Sequence, residues 1–411
     1  MAFSFGFSGD DIEEDPNDAS NAQQDTQMAE DGGNGPPPIA ARTHDLDEIV
    51  GNSSFYYIPH IFISNGNLSV IVLLFEVHFL HPLNLIKIQP PTHGLPSNHT
   101  QLHSLPSKLS FNILPLTSPF SHTCRLPRRE LFDVRLQLMS EDDGTNSTPL
   151  AGLQSSDLTT NVYEGGYKTW ECSLDLVRFL MDRGPRKDID DLCRVDHVIE
   201  MGCGTALPSL LLFMYCLKNG LRMQFTLMDY NDSVLRLVTL PNLILAWAAT
   251  LPANDPVFSS EERASDSNPL ADETADSGDL ELTPNLLSAF KSSLSSQGIT
   301  LTLISGSWLP VPALLSLVPS TPEMNTFILA SETIYSPASS AAFTEAMVGL
   351  IKRVKSGKAV VAAKRVYFGV GGSVDAFREE VSKYGCLGYE MEFEGLESDG
   401  VRRCLLEVQM C

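Results

Sequence analysis

Basic residues are scarce in this 411-residue chain: 28 Lys and Arg stand against 51 Asp and Glu, a formal net charge of -23 at pH 7. A surface of that sign repels phosphates, so direct nucleic-acid binding is not expected. It favours a basic protein partner, because complementary charge raises encounter rates, and it also serves plain solubility. Paired cysteines are missing as well. The eight cysteines, at 124, 172, 193, 203, 216, 386, 404 and 411, form no CxxC motif. Neither a zinc site nor a disulfide framework is suggested, and a reducing compartment follows. Long hydrophobic runs are absent too. The most apolar one, 68–80, is broken by Glu76 and His78 and falls short of the roughly 20 residues a bilayer span needs. The opening Met1-Ala2-Phe3-Ser4-Phe5-Gly6-Phe7 runs almost directly into acids, unlike a signal peptide. The expectation is a soluble intracellular protein, with no metal and no membrane contact.

Composition changes sharply along the chain. Residues 1–50 are acidic, carry Arg42 as their single Lys or Arg, and contain the run Gly32-Gly33-Asn34-Gly35-Pro36-Pro37-Pro38. Such a segment buries too little apolar surface to offset chain entropy, so a disordered acidic tail is expected. Residues 51–129 are different: Glu76 is their only acid, and they hold seven of the nine histidines. Their histidine spacing is too irregular for a metal site. Proline and serine interrupt the apolar stretches, leaving no sustained period. This stretch reads as a low-order, atypical insertion foreign to the fold, in the manner of translated intronic sequence.

From Glu130 onward the pattern becomes regular, and a folded domain is expected over 130–411. The alternation at 134–138 predicts a short strand or arm, and the spacing at 170–181 predicts a helix. Apolar strands are expected at 195–201, 224–229, 299–304, 326–331, 358–364, 387–393 and 403–408. Helical stretches at 207–217, 233–250, 339–354 and 374–383 separate most of them. Buried strands alternating with helices imply a mostly parallel sheet covered on both faces. The last two strands have no helix between them and should pair as an antiparallel hairpin. Residues 252–284, rich in Asp, Glu, Ser and Pro, read as an acidic surface insertion.

Chemistry concentrates at expected strand ends. Glu200-Met201-Gly202-Cys203-Gly204 is a strand running into a glycine turn, where backbone can approach a ligand closely. A dinucleotide fingerprint would want a further glycine at 207, which is Leu207. The strand-end acid before Gly202 and Gly204 suits a cofactor with a cationic amino-acid moiety and no pyrophosphate. Asp229 and Asn231 end the next strand, about 25 residues on, as a ribose-binding acid would; either could instead cap the following helix. Trp170 and Trp308 could stack on an adenine ring or pack in the core. Ser331 and Glu332 follow the fourth strand, where open α/β sheets bind ligands, though Glu332 could also cap the next helix.

These pieces resemble the histidine protein methyltransferase family. The likeness rests on Tyr163-Glu164-Gly165-Gly166, Thr169-Trp170-Glu171-Cys172, the glycine turn, Asp229-Tyr230-Asn231, Thr239-Leu240-Pro241-Asn242, Ser331-Glu332-Thr333-Ile334-Tyr335 and Lys364 through Gly372. The opening Phe3 to Phe7 also looks like fungal members. The resemblance implies a Rossmann-like seven-strand class I methyltransferase that uses S-adenosylmethionine. Its substrate would be a basic large-subunit ribosomal protein of the L-three type. Carried over, Thr169, Trp170, Glu171, Cys172, Ser173, Gly202, Asp229 through Asn231, Gly306 through Trp308 and Ser331 would contact the cofactor. A monomer working in cytoplasm and nucleus is implied. Imidazole is largely neutral at neutral pH and needs no strong base, so Glu332 or Tyr367 is expected to orient the acceptor ring. Protein-lysine methylation, or a non-catalytic ribosomal-protein binding role, would use the same sheet.

Overall fold

The computed structural model describes residues 39–46, 105–141, 165–182, 195–259, 267–394, 396 and 401–411. The expected tail at 1–38 and 47–50, and the atypical stretch over 51–104, lie outside these residues.

In chain order the elements begin with strands β1 (Arg42–His44), β2 (Lys108–Thr117) and β3 (Thr123–Arg129) and helices α1 (Leu131–Glu141) and α2 (Glu171–Asp182). Next come β4 (His197–Met201), α3 (Leu207–Asn219), β5 (Met223–Asp229), the short α4 (Asp232–Val234), a π turn at Leu235–Thr239 and α5 (Leu240–Ala248). Then follow β6 (Ser277–Glu281), α6 (Pro284–Gln297), β7 (Ile299–Ser305), α7 (Val311–Leu317), β8 (Asn325–Ser331) and α8 (Pro337–Lys352). The chain closes with β9 (Ser356–Lys364), α9 (Val374–Lys383), β10 (Cys386–Met391) and β11 (Arg403–Met410).

The main sheet has the order β1-β7-β5-β4-β8-β9-β11-β10. Its five inner strands from β7 to β9 run parallel, while β11 and β10 form the expected antiparallel hairpin against β9. This is the predicted class I architecture, and all seven anticipated strands are present. Helices α2, α3, α5 and α6 bury Leu176, Phe213, Ile244 and Phe290 on one face. Helices α7, α8 and α9 bury Leu314, Phe343 and Phe377 on the other. Strand β4 serves both faces by its period of two: Val198 faces the first core, Ile199 and Met201 the second.

Four expectations are corrected. The alternating 134–138 is not a strand but the middle of α1, because Val134 and Leu138 also stand one helical turn apart and are both buried. Arg42–His44 is not part of a disordered tail; it adds an eighth, antiparallel edge strand to β7. Residues 108–129 are not foreign to the fold. Strands β3, β2 and β6 make a second sheet, with Leu109, Phe111 and Leu126 fully packed into the first core. The prolines that hid these strands sit where a missing N–H costs little. Pro127 lies on edge strand β3, and Pro115 lies past the end of the β6 pairing. Finally, the 252–284 insertion supplies β6 and buries Leu280 and Leu282, so it is not merely a surface loop. Asn268 anchors it by donating to the carbonyls of Ala248 at 2.8 Å and Leu251 at 2.9 Å.

Candidate active site

The chain leaves β4 for β5 and β7 on one side, then returns to β8 and β9 on the other. The carboxyl ends of β4 and β8 therefore flank the switch point where open parallel sheets leave a crevice. Two groups of predicted residues meet there.

The first group surrounds the glycine turn. Gly202 and Gly204 have φ of 68° and 49°, a region where a side chain is strained. A Cβ on Gly202 would stand 2.9 Å from Thr333 Cγ2 and 3.8 Å from Trp308 Cζ2. The turn is thus walled by the loops after β7 and β8. The Gly204 N–H donates to Asp229 Oδ2 at 2.9 Å, and the Asn231 N–H donates to Asp229 Oδ1 at 3.1 Å. Asn231 Nδ2 donates to the Gly165 carbonyl at 3.1 Å, tying down the turn that precedes α2. Its side chain makes no cap on α4, so the helix-capping alternative does not describe it. Gly306 donates its N–H to the Asp229 carbonyl at 3.0 Å. Its open face is covered by the backbone of Ala40, and Ser307 N–H reaches the Ile39 carbonyl at 2.7 Å. Trp308 packs in the core, its indole 5.5 Å from Phe343, and its edge also reaches the glycine turn. Its Nε1 is buried with no hydrogen-bond partner.

Glu200 lies within electrostatic reach of Asp229 in this group. It is buried, and its Oε2 accepts from the Ser209 N–H at 3.0 Å in the first turn of α3. A carboxyl here supplements the helix N-terminus. Burial pushes it up to about 8 despite that hydrogen bond.

The second group gathers around Lys364 at the end of β9. Its Nζ lies 3.3 Å from Glu171 and 3.6 Å from Glu332, and 5.3 Å from the ring centre of Trp170. Burial opposes the ammonium charge, but the carboxylates of Glu332 and Glu171 outweigh it and hold its pKa above the ordinary value. Glu332 has φ of 57°, uncommon for a residue with a Cβ and a mark of a constrained position. Its side chain is only 8% exposed, and Oε1 has no hydrogen-bond partner. It does not cap α8, because Ser336 does: its Oγ accepts from the Ser339 N–H at 3.1 Å. Tyr367 is buried beside Glu332, its hydroxyl accepting from the Lys364 N–H at 3.3 Å. Burial, then the Glu332 charge, pushes the phenol well above its ordinary range. Cys172 is enclosed in the same place, its thiol raised by burial and then by Glu332; it is a packing residue rather than a nucleophile.

The remaining predicted residues frame these two groups. Thr169 accepts from Arg128 Nη1 at 3.0 Å and lies 3.3 Å from Thr205 Oγ1. Ser173 turns back to donate to the Trp170 carbonyl at 2.9 Å. Ser331 ends β8 opposite Ala362 of β9. Sequence reasoning did not assign Lys364 or Arg128 a place in the site. Lys364 was visible inside the motif running to Gly372, but its role depends on Glu171, 193 positions earlier. A cavity of about 870 Å³ is lined by Phe120, Phe179, Arg365, Met391, Phe393 and Arg403 and by none of the residues of these two groups.

No family model matches the chain. Over 262 residues it is 42% identical to Histidine protein methyltransferase 1 of Saccharomyces cerevisiae, covering 61% of this chain and 67% of that protein. Over 285 residues it is 36% identical to Histidine protein methyltransferase 1 of Schizosaccharomyces pombe, covering 69% and 75%. The chain belongs to the histidine protein methyltransferase family. A homologue in Bos taurus is 28% identical over 276 residues, covering 67% of this chain and 63% of the relative.

For this family member the cofactor is S-adenosylmethionine, and the residues present fit it. The glycine turn excludes side chains from one wall, the Asp229 carboxylate offers acceptors for ribose hydroxyls, and Trp308 carries a buried unpaired donor. Gly202, Gly204, Asp229, Asn231, Gly306, Trp308 and Ser331 would hold it. Thr169 through Ser173 would close the side nearest α2.

Proposed function

We propose that the chain transfers the methyl group of S-adenosylmethionine to a histidine side chain of a basic large-subunit ribosomal protein of the L-three type. It would act as a monomer in cytoplasm and nucleus. When bound, the cofactor supplies an electrophilic sulfonium methyl; the chain's own residues supply position. One observation carries the reading. Glu332 stands immediately after Ser331 at the tip of β8, its side chain nine-tenths buried, and its Oε1, 3.6 Å from the Lys364 ammonium, has no hydrogen-bond partner. A buried carboxylate oxygen without a hydrogen bond is costly, and the N–H of an imidazole would supply one. With one ring nitrogen donating to Glu332, the other presents its lone pair. Holding nucleophile and methyl in line can supply roughly 7–11 kcal/mol of a displacement barrier in favourable cases. Lys364 keeps Glu332 near a fixed cation, and Tyr367 packs against it. The net charge of -23 supports a basic acceptor.

The test is incubation of the full chain with methyl-labelled cofactor and isolated large-subunit ribosomal proteins, followed by acid hydrolysis. Label in methylhistidine is expected, and Glu332→Gln should lower kcat by about 100-fold while binding cofactor as before. Label in methyllysine, or in no protein, would overturn the assignment.

A further inference from the structure

Phe368 is 89% exposed, more than any other large apolar side chain among the described residues. It does not sit on a loose loop. Tyr367 N–H donates to the Gly372 carbonyl at 2.9 Å, and Gly371 N–H donates to the Tyr367 carbonyl at 3.0 Å. Below them Val366 bridges to Ser373. Gly369 and Gly371 take φ of 83° and 84°, values that favour glycine. Gly372 packs so closely on the Glu332 turn that a Cβ would stand 2.1 Å from the Ile334 carbonyl oxygen, and its N–H donates to the Tyr335 carbonyl at 2.9 Å. One stiff turn therefore points Tyr367 inward at Glu332 and holds Phe368 outward, between the half-exposed Val366 and Val370.

A rigid aromatic on a surface costs little conformational entropy when a partner covers it, which is why such residues serve as anchors in protein interfaces. Here the anchor is chain-adjacent to Tyr367 of the proposed acceptor site, so a substrate segment entering that site passes close to it. We propose that Phe368, with Val366 and Val370, docks an apolar residue of the protein substrate near the acceptor histidine in sequence. The inference rests on the protein-methylating reading above and adds to it the feature by which the substrate segment is held.

Phe368→Ser and Phe368→Leu are to be compared with the unmodified full chain, using methyl-labelled cofactor and graded amounts of large-subunit ribosomal proteins. Cofactor binding is followed separately with S-adenosylhomocysteine, and association state by sedimentation. Phe368→Ser should raise the acceptor KM by roughly ten-fold or more, with the loss falling on KM rather than kcat. Phe368→Leu should recover part of it, and S-adenosylhomocysteine affinity should not move. An unchanged KM with active protein would overturn the docking role alone. So would a chain that self-associates through Phe368 while methylating with the same KM in both forms. If the unmodified chain labels no protein, the functional reading falls and the docking role falls with it.

Discussion

At the residue scale, Glu200 illustrates how one side chain can follow the sequence pattern and still do something local. The strand-end acid before a glycine turn suggested a cofactor ligand. In the fold its carboxyl is buried against the first turn of α3 and carries a proton at neutral pH, with a pKa of about 8 against an ordinary 4.5. Below about pH 4.5 the folded and unfolded chains are both protonated there, and the group has no effect on stability. Between 4.5 and 8 the unfolded chain releases a proton that the folded chain keeps, so stability falls as pH rises, by at most about 1.4 kcal/mol per unit. Gln keeps an oxygen for Ser209 N–H and has no proton to lose. Glu200→Gln should therefore match the wild type at pH 5 and exceed it by a few kcal/mol at pH 8 in the cofactor-free chain. Urea unfolding at the two pH values checks this; parallel pH dependence in both proteins would show that Glu200 is ionised in the fold.

Among the elements, the second sheet is where the structure most changed the sequence account. Phe111 of β2 is fully buried, and the space over it is kept by Gly278 of β6, where a Cβ would stand 2.8 Å from the ring. The face built from a segment that looked foreign is joined to the methyltransferase core through Arg129, whose N–H donates to Asn242 Oδ1 at 2.7 Å and whose guanidinium donates to the Leu237 carbonyl at 2.8 Å. Phe111→Ala should cost about 3–5 kcal/mol, as for other buried aromatic truncations. A change below 1 kcal/mol by chemical denaturation would mean the second sheet is dispensable. These strands were hidden because period-two reading penalises proline without knowing which strand will be an edge. Helix α1 was misread for a related reason. Positions 134 and 138 satisfy both a strand of five residues and one turn of helix, and only the packing of Val134 and Leu138 against Tyr167 and Val238 breaks the tie.

For the whole molecule, the proposed basic acceptor would make charge govern the encounter. With a net charge of -23 and a basic acceptor, methylation at sub-saturating acceptor should fall as salt rises, while the rate at saturation stays nearly level. Long-range attraction between exposed charges is screened within about 8–10 Å at physiological ionic strength. A kcat/KM independent of sodium chloride between 50 and 300 mM would show that charge plays no part in capture. The apolar contact assigned to Phe368 should be largely indifferent to that salt series, which separates the two contributions.

What the chain determined by itself was local and periodic. Apolar runs of strand length separated by helical stretches dictated a mostly parallel sheet, and the glycine turn and Asp229 marked its carboxyl edge, because backbone conformation and burial period depend on neighbours in sequence. Only the tertiary structure decided which groups share one space. Lys364 meets Glu171 and Glu332 through strand order, Glu200 turns into a helix end, and Glu332 keeps one oxygen without a hydrogen bond. Such pairings are set by desolvation and distance between residues far apart in the chain, and no local pattern encodes them.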